Sequence, residues 1–253
     1  MTNAKKAALA ACLLCLLCCL PAFAAQPDAE AYRVSDETTE NGGNGEMPLA
    51  YDLPEGFVYV RDVIPDVIEE MRYATEHNFT GMVVDGYEAG AAILTKEAAL
   101  ALKEAANALR LDGYRVKIFD AYRPRRAVRF FVDWSKTDDM RMRDEFYPEF
   151  KNKKLLVDQG YIARNSAHTR GSAIDMTIVY ADGTEVDMGT CFDYFGKKAW
   201  HGASGLTQEQ TEMRALLRSV MESCGFKAFE HEWWHYRLYL EPYKGEGFDF
   251  IVH

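Results

Sequence analysis

Ser166-Ala-His-Thr-Arg-Gly-Ser-Ala-Ile-Asp-Met-Thr-Ile-Val-Tyr180 is the stretch on which the reading of this 253-residue chain turns. From Ala173 onward it is a short apolar run of the kind that forms a buried strand. One residue is out of place, Asp175. A carboxylate inside such a run is costly unless a cation or hydrogen bonds compensate it. An aspartate paired with Arg170 or with a backbone amide is one reading. The other joins Asp175 to His168 and to a later cluster, Glu232-Trp-Trp-His235. Two neutral imidazoles and one carboxylate make an open three-ligand zinc site that leaves a position for water. A free glutamate beside that water would be its general base. On this reading His168, Asp175 and His235 are the ligands, with one zinc per chain, and Glu232 is the base.

The later cluster also matches His-Glu-x-x-His, as His231-Glu-Trp-Trp-His235. That pattern binds zinc only on a helix, where histidines four apart share a face. Here two tryptophans and the alternation of Tyr236, Leu238 and Leu240 favour a strand. In a regular strand, residues three apart point to opposite faces. Glu232 and His235 can therefore reach one metal only if the chain bends between them, which predicts a loop or bulge there. His231 is left as an ordinary polar residue.

The chain around these clusters limits what they can serve. Residues 1–24 read as a cleaved signal peptide: Lys5 and Lys6, an apolar run from Ala7 to Leu20, and Ala22-Phe23-Ala24. Export to a periplasmic or extracellular compartment follows, with no stable membrane insertion after cleavage. The signal takes Cys12, Cys15, Cys18 and Cys19 with it. Cys191 and Cys224 remain, one candidate disulfide in an oxidising compartment. Residues 25–48 are polar and acidic, with too little apolar surface to offset ordering, and read as a disordered tether. The whole chain carries 29 basic and 39 acidic residues, and losing the two signal lysines takes the net charge from −10 to −12. Such a surface argues against nucleic acid as a partner. Oligomeric state is not legible.

Residues 49–253 suffice for one domain with a core. Thr95 N-caps a helix whose Ala98, Leu102, Ala105 and Leu109 share a face, closed by Gly113. Tyr114 to Asp120 alternates as a half-exposed strand, and Pro124 is placed as the first residue of the next helix, through Trp134. Arg141, Arg143 and the run Lys151 to Lys154 read as a solvated face. Thr207 to Gln210 is a capping box for a helix turning Met213, Leu216, Leu217, Val220 and Met221 inward. Phe226 to Phe229 and Trp233 to Leu240 are the last strands. Strands and helices do not alternate regularly, so the expected fold is α+β, a compact domain with a mostly antiparallel sheet. Arg123, at the end of the 114–120 strand, is either an oxyanion stabiliser or a surface partner of Asp120. Asp193 alone is a turn aspartate.

Taken together, Ser166-x-His-x-x-Gly-x-Ala-x-Asp175 and Glu232-x-Trp-His235 resemble the zinc D-alanyl-D-alanine dipeptidases, the vancomycin-resistance type and its relatives. Tyr73-Ala-Thr-x-x-Asn78-Phe-Thr-Gly81, Tyr122-Arg-Pro124, Met188-Gly-Thr-x-Phe-Asp193 and Phe248-Asp-Phe250 extend the likeness over nearly all of residues 50–253. The resemblance implies an α+β domain with zinc on a central antiparallel sheet. It implies His168, Asp175 and His235 as ligands, Glu232 as catalytic base and Arg123 as transition-state stabiliser. Asp193 would hold the free amino terminus of D-Ala-D-Ala, and Ser166 would lie in the substrate pocket. The same ligand pattern occurs in peptidoglycan D,D- and L,D-carboxypeptidases. A non-catalytic zinc or cell-wall binding module is the third alternative, one that needs neither Glu232 nor Arg123. The export signal departs from resistance-type relatives, which act on cytoplasmic D-Ala-D-Ala.

Overall fold

The structure is a computed structural model and describes residues 53–253. The signal and tether readings at 1–24 and 25–48 lie outside the described residues.

The elements run in order β1 (Phe57–Tyr59), α1 (Val60–Val63), β2 (Ile68–Glu69), β3 (Ile93–Thr95), α2 (Lys96–Leu111), β4 (Tyr114–Asp120), α3 (Arg125–Trp134), α4 (Arg143–Phe146), α5 (Lys154–Asp158), β5 (Ala173–Tyr180), α6 (Gln208–Ser223), β6 (Phe226–Phe229) and β7 (Glu232–Leu238). Five strands form one sheet in the order β2-β4-β5-β7-β6. Short β2 runs parallel to β4, and every other neighbour pair is antiparallel. Strands β1 and β3 form a separate antiparallel pair. The fold is α+β with a mostly antiparallel sheet, as the irregular alternation of elements implied.

The site is set by the middle of the sheet. β5 is buried along its length apart from Tyr180, which is why it reads as an uninterrupted apolar run. β4 alternates at first, with Val116 and Ile118 buried between the half-buried Arg115 and Lys117. A bulge after Ile118 then turns Asp120 opposite Asp175 on β5. Asp175 in turn lies opposite His235 on β7. Three polar side chains thus stand in a row across adjacent strands. On the other edge of β7 the register shifts, with Phe229 opposite Glu232 but Ala228 opposite Tyr236. The bend expected between Glu232 and His235 is this irregularity, and the segment is a strand, so the helical His-Glu-x-x-His reading fails.

The helices follow their local signals. The Thr95 hydroxyl accepts the Ala98 amide, and α2 buries Ala98, Leu102, Ala105 and Leu109. The Thr207–Gln210 capping box is complete on α6. Pro124 is the N-cap of α3 rather than its first residue. β7 stops at Leu238, leaving Tyr239 and Leu240 exposed.

One expectation falls, and one open question is answered. Lys153 is not part of a solvated face: it is 2% exposed, with Nζ 2.7 Å from the Thr137 hydroxyl, 2.6 Å from the Asp139 carbonyl and over the Trp134 ring. A lysine can be buried when its ammonium finds acceptors and its stem finds apolar surface, and neither is visible in a run of lysines. The two remaining cysteines are unpaired. Cys224 caps the end of α6, while Cys191 lies against the Glu145 carbonyl.

Candidate metal centre and active site

His168 comes from the short 3-10 turn Ala167–Arg170 that leads into β5. The Ser166 hydroxyl starts this turn by accepting the His168 amide, and Gly171 ends it at φ 65°, a left-handed conformation that glycine adopts without strain. The turn points the imidazole back at the row of strand residues. His168 Nδ1 lies 2.7 Å from the Ala121 carbonyl. A carbonyl can only accept, so the proton sits on Nδ1 and Nε2 keeps its lone pair. Nε2 is 3.1 Å from His235 Nδ1 and 3.3 Å from an Asp175 carboxylate oxygen, and His235 Nδ1 is 2.9 Å from the other oxygen. One ligand atom from each of the three residues falls within 4.8 Å of the others. Two imidazoles and a carboxylate converging in this way fit a small divalent cation with nitrogen and oxygen preference, zinc above all.

The electrostatics point the same way. Burial would raise Asp175, but His168 and His235 hold it well below the usual carboxylate range. Burial would lower His235, and the hydrogen bond and charge of Asp175 raise it instead. Glu232 sits with a carboxylate oxygen 4.0 Å from His235 Nδ1, and burial pushes it up to about 7. Asp193 is driven well above the carboxylate range by burial and by the nearby charge of Asp175. Its one close partner in the pocket is the Tyr73 hydroxyl, which donates at 2.8 Å. Asp193 is also the one non-glycine among the described residues with positive φ, at 60°, a conformation aspartate tolerates better than most residues.

Of the two sequence readings of Arg123, the pairing with Asp120 is present, though withdrawn from the surface. Its Nε donates to Asp120 at 2.8 Å, and its Nη2 reaches Asp175 at 3.3 Å. The guanidinium lies over the Tyr73 and Phe131 rings. Like charges directly opposite on neighbouring strands repel, and Arg123 bridges the facing aspartates. Asp120 is the residue whose role the sequence understated. Fully buried, it accepts from Tyr87 at 2.6 Å as well as from Arg123, and lies 3.4 Å from His168 Nδ1. It fixes the arginine and one face of the histidine together. Tyr73 likewise has a part, holding Asp193, that its motif did not disclose. The only sequence signal for Asp120 was its place at the strand end beside Arg123.

Apart from Asp120 and Tyr87, which stand behind it, these side chains line one pocket of about 210 Å³, which also takes in Ser166, Tyr161, Phe229 and Trp234. All seven residues singled out from the sequence (Arg123, Ser166, His168, Asp175, Asp193, Glu232 and His235) reach it. His231 does not. It stacks on Trp200 at 4.1 Å.

Two imidazoles and a carboxylate that could hold a metal ion, with a glutamate and an arginine beside them on a mostly antiparallel sheet, are the arrangement of a metallopeptidase. The chain belongs to the peptidase family described as D-ala-D-ala dipeptidase, whose model matches residues 54–253. It is 39% identical over 202 residues to a D-alanyl-D-alanine dipeptidase of Enterococcus faecalis, covering 79% of this chain and all of that one. Against the D-alanyl-D-alanine dipeptidase of Enterococcus faecium it is 39% identical over 198 residues, 78% of this chain and 98% of the relative. A solved vancomycin-resistance D,D-pentapeptidase, VanY, in complex with Zn(II), covers 62% of this chain and 78% of its own at 16% identity and a TM-score of 0.37, too loose for residue correspondence.

Proposed function

We propose that this chain is an exported, zinc-dependent D-alanyl-D-alanine dipeptidase that hydrolyses D-Ala-D-Ala to two D-alanines. The observation that carries the reading is the charge of the pocket. Asp120, Asp175, Asp193 and Glu232 gather around a single guanidinium, Arg123. So many buried carboxylates call for further cations. A dication at His168, Asp175 and His235 and a substrate ammonium at Asp193 supply them. The activity of the enterococcal relatives points to the same substrate, and the signal-like residues 1–24 support export.

His168, Asp175 and His235 would hold the zinc, which when bound would supply Lewis acidity, lowering the pKa of water to roughly 7 and polarising a carbonyl. Glu232 takes the proton from the attacking water, a task suited to an acid that burial poises near neutrality. Arg123, held by Asp120, donates to the oxygen on which negative charge develops. Glu232 then returns its proton to the departing amine. Asp193 pairs with the ammonium of the dipeptide, and Tyr73 holds the carboxylate in position. Ser166, whose oxygen already accepts the His168 amide, keeps its hydroxyl proton for the substrate's far end.

Dipeptide selectivity follows from Asp193. A longer peptide carries no charge at that point and would leave a buried carboxylate unpaired. The test is release of free D-alanine from D-Ala-D-Ala and from a pentapeptide ending in D-Ala-D-Ala, by zinc-loaded protein beside Glu232→Ala. Cleavage of the dipeptide alone, lost in the variant, is the expected result. Cleavage of the pentapeptide would make the protein a wall carboxypeptidase. Zinc binding without cleavage of either would leave a binding module.

A further inference from the structure

A second cavity of about 440 Å³ adjoins the catalytic pocket and shares Asn165 and Ser166 with it. Arg125, Arg129, Arg164 and Arg170 line it, against one acidic side chain, Glu246. Arg170 is neutralised by buried Glu241, and Arg129 reaches Asp249. Arg125 and Arg164 differ from both. Neither side chain has a hydrogen-bond or ion-pair partner among the described residues. Every other described arginine does: Arg61, Arg72, Arg110, Arg123, Arg126, Arg141, Arg218 and Arg237 meet carboxylates. Arg115, Arg143 and Arg214 meet backbone carbonyls. In a chain with ten more acidic than basic residues, partners are plentiful. Two unmatched guanidiniums lining the same cavity are therefore unusual.

The floor of the cavity is built to stay open. A Cβ on Gly247 would come within 2.6 Å of Arg125 Nε and 2.8 Å of the Thr169 hydroxyl oxygen. Glycine at 247 thus keeps clear the space into which Arg125 and Thr169 project. Guanidinium groups match the planar, multidentate geometry of carboxylate and phosphate oxygens.

We propose that Arg125 and Arg164 form an oxyanion-binding subsite beside the catalytic pocket, taking a carboxylate or a phosphate group. The group has two possible sources. One is the carboxylate end of the substrate, passing the shared wall at Ser166 (a source that rests on the dipeptidase reading). The other is a free inorganic anion.

The experiment is calorimetric titration of inorganic phosphate into the zinc-loaded protein, comparing wild type with the double variant Arg125→Gln/Arg164→Gln and with Gly247→Ala. Phosphate held by the metal is common to all three and drops out of the difference. The double variant should bind phosphate roughly tenfold more weakly, as loss of two exposed charge pairs implies. Gly247→Ala should weaken it in the same direction. The kinetics then separate the sources. A raised KM for D-Ala-D-Ala with kcat unchanged, and competitive inhibition by phosphate, assigns the subsite to the substrate carboxylate. An unchanged KM with the phosphate difference intact assigns it to a free anion. Equal phosphate affinity in wild type and double variant, or no phosphate binding to either, overturns the proposal. Should the protein fail to cleave the dipeptide, the titration still decides the subsite. Both arginines are exposed and unpaired, so the double variant retains the fold, checked by its unfolding midpoint.

Discussion

Arg123 and Arg214 are both withdrawn from solvent, but their surroundings differ. Arg123 sits among carboxylates at the edge of the pocket, touching Asp120 and Asp175. Arg214, 2% exposed on α6, touches no carboxylate. Its guanidinium donates to the carbonyls of Met188 at 2.7 Å, Lys198 at 3.1 Å and Trp200 at 2.8 Å, and burial pushes it down to about 10, still charged at neutral pH. Those carbonyls flank the segment that carries Asp193. Arg214 therefore pins the Asp193 loop to a helix, while Arg123 joins Asp120 to Asp175 and lines the pocket. In the proposed mechanism the cation matched by carboxylates takes part in the chemistry. One matched by carbonyls is a structural tie.

The contrast can be broken by swapping the measurements. Arg123→Gln should lower kcat by roughly 100- to 1,000-fold, the usual cost of removing one oxyanion donor, while zinc stoichiometry stays at one. A variant that kept full kcat would place Arg123 among the structural ties. Arg214→Met should do the reverse. It orphans three buried carbonyls, for a loss of about 3 kcal/mol in urea unfolding, and raises KM more than it lowers kcat. An unfolding midpoint equal to wild type would remove the distinction between the two arginines.

Asp120→Asn sharpens the Arg123 side. Asp120 touches no substrate in the proposed mechanism and positions Arg123 and His168, so kcat should fall about 10- to 100-fold, in line with loss of a group that orients metal ligands. Zinc affinity should fall with it, a change that damage to the proposed base Glu232 alone would not produce.

The loop near Arg214 makes a smaller, pH-dependent contribution. His201 is pushed down to about 4 by burial, and its Nε2 has no hydrogen-bond partner among the described residues. Unfolded histidine titrates near 6.5, so between about pH 4 and 6.5 the unfolded chain binds more protons. Stability should therefore decline as pH falls from 6.5 toward 4. Urea midpoints at pH 7 and pH 5 should differ less in His201→Gln than in wild type, and an equal difference would exclude the residue. Smallest of all, a reductant should leave the melting temperature unchanged, because Cys191 and Cys224 are unpaired. A fall on reduction would reveal a bond between them.

Much of the fold was legible because its signals are local. The Thr95 cap, the Thr207–Gln210 capping box and the apolar run of β5 each lie within a few residues of what they specify. The bend before His235 was legible for a similar reason, since a strand cannot turn Glu232 and His235 to one side without it. The tightly spaced motifs also marked which side chains would converge on the pocket.

Tertiary structure alone decided the rest. Lys153 and Arg214 look like surface residues in sequence, because a long cationic side chain is buried only when distant acceptors meet it. Arg214 finds its Met188 acceptor 26 positions away, and Tyr73 reaches Asp193 across 120. Asp120 reads as the end of a strand until a bulge places it against Asp175 and Arg123. Even the two unmatched arginines of the second cavity are visible only once every other arginine has found its partner. The sequence by itself determined the helix caps, the central strand and the kinds of side chain in the site. Which charges are buried, and which remain free to meet a ligand, depends on contacts between residues far apart in the chain. Burial and pairing are properties of those contacts, and no local pattern encodes them.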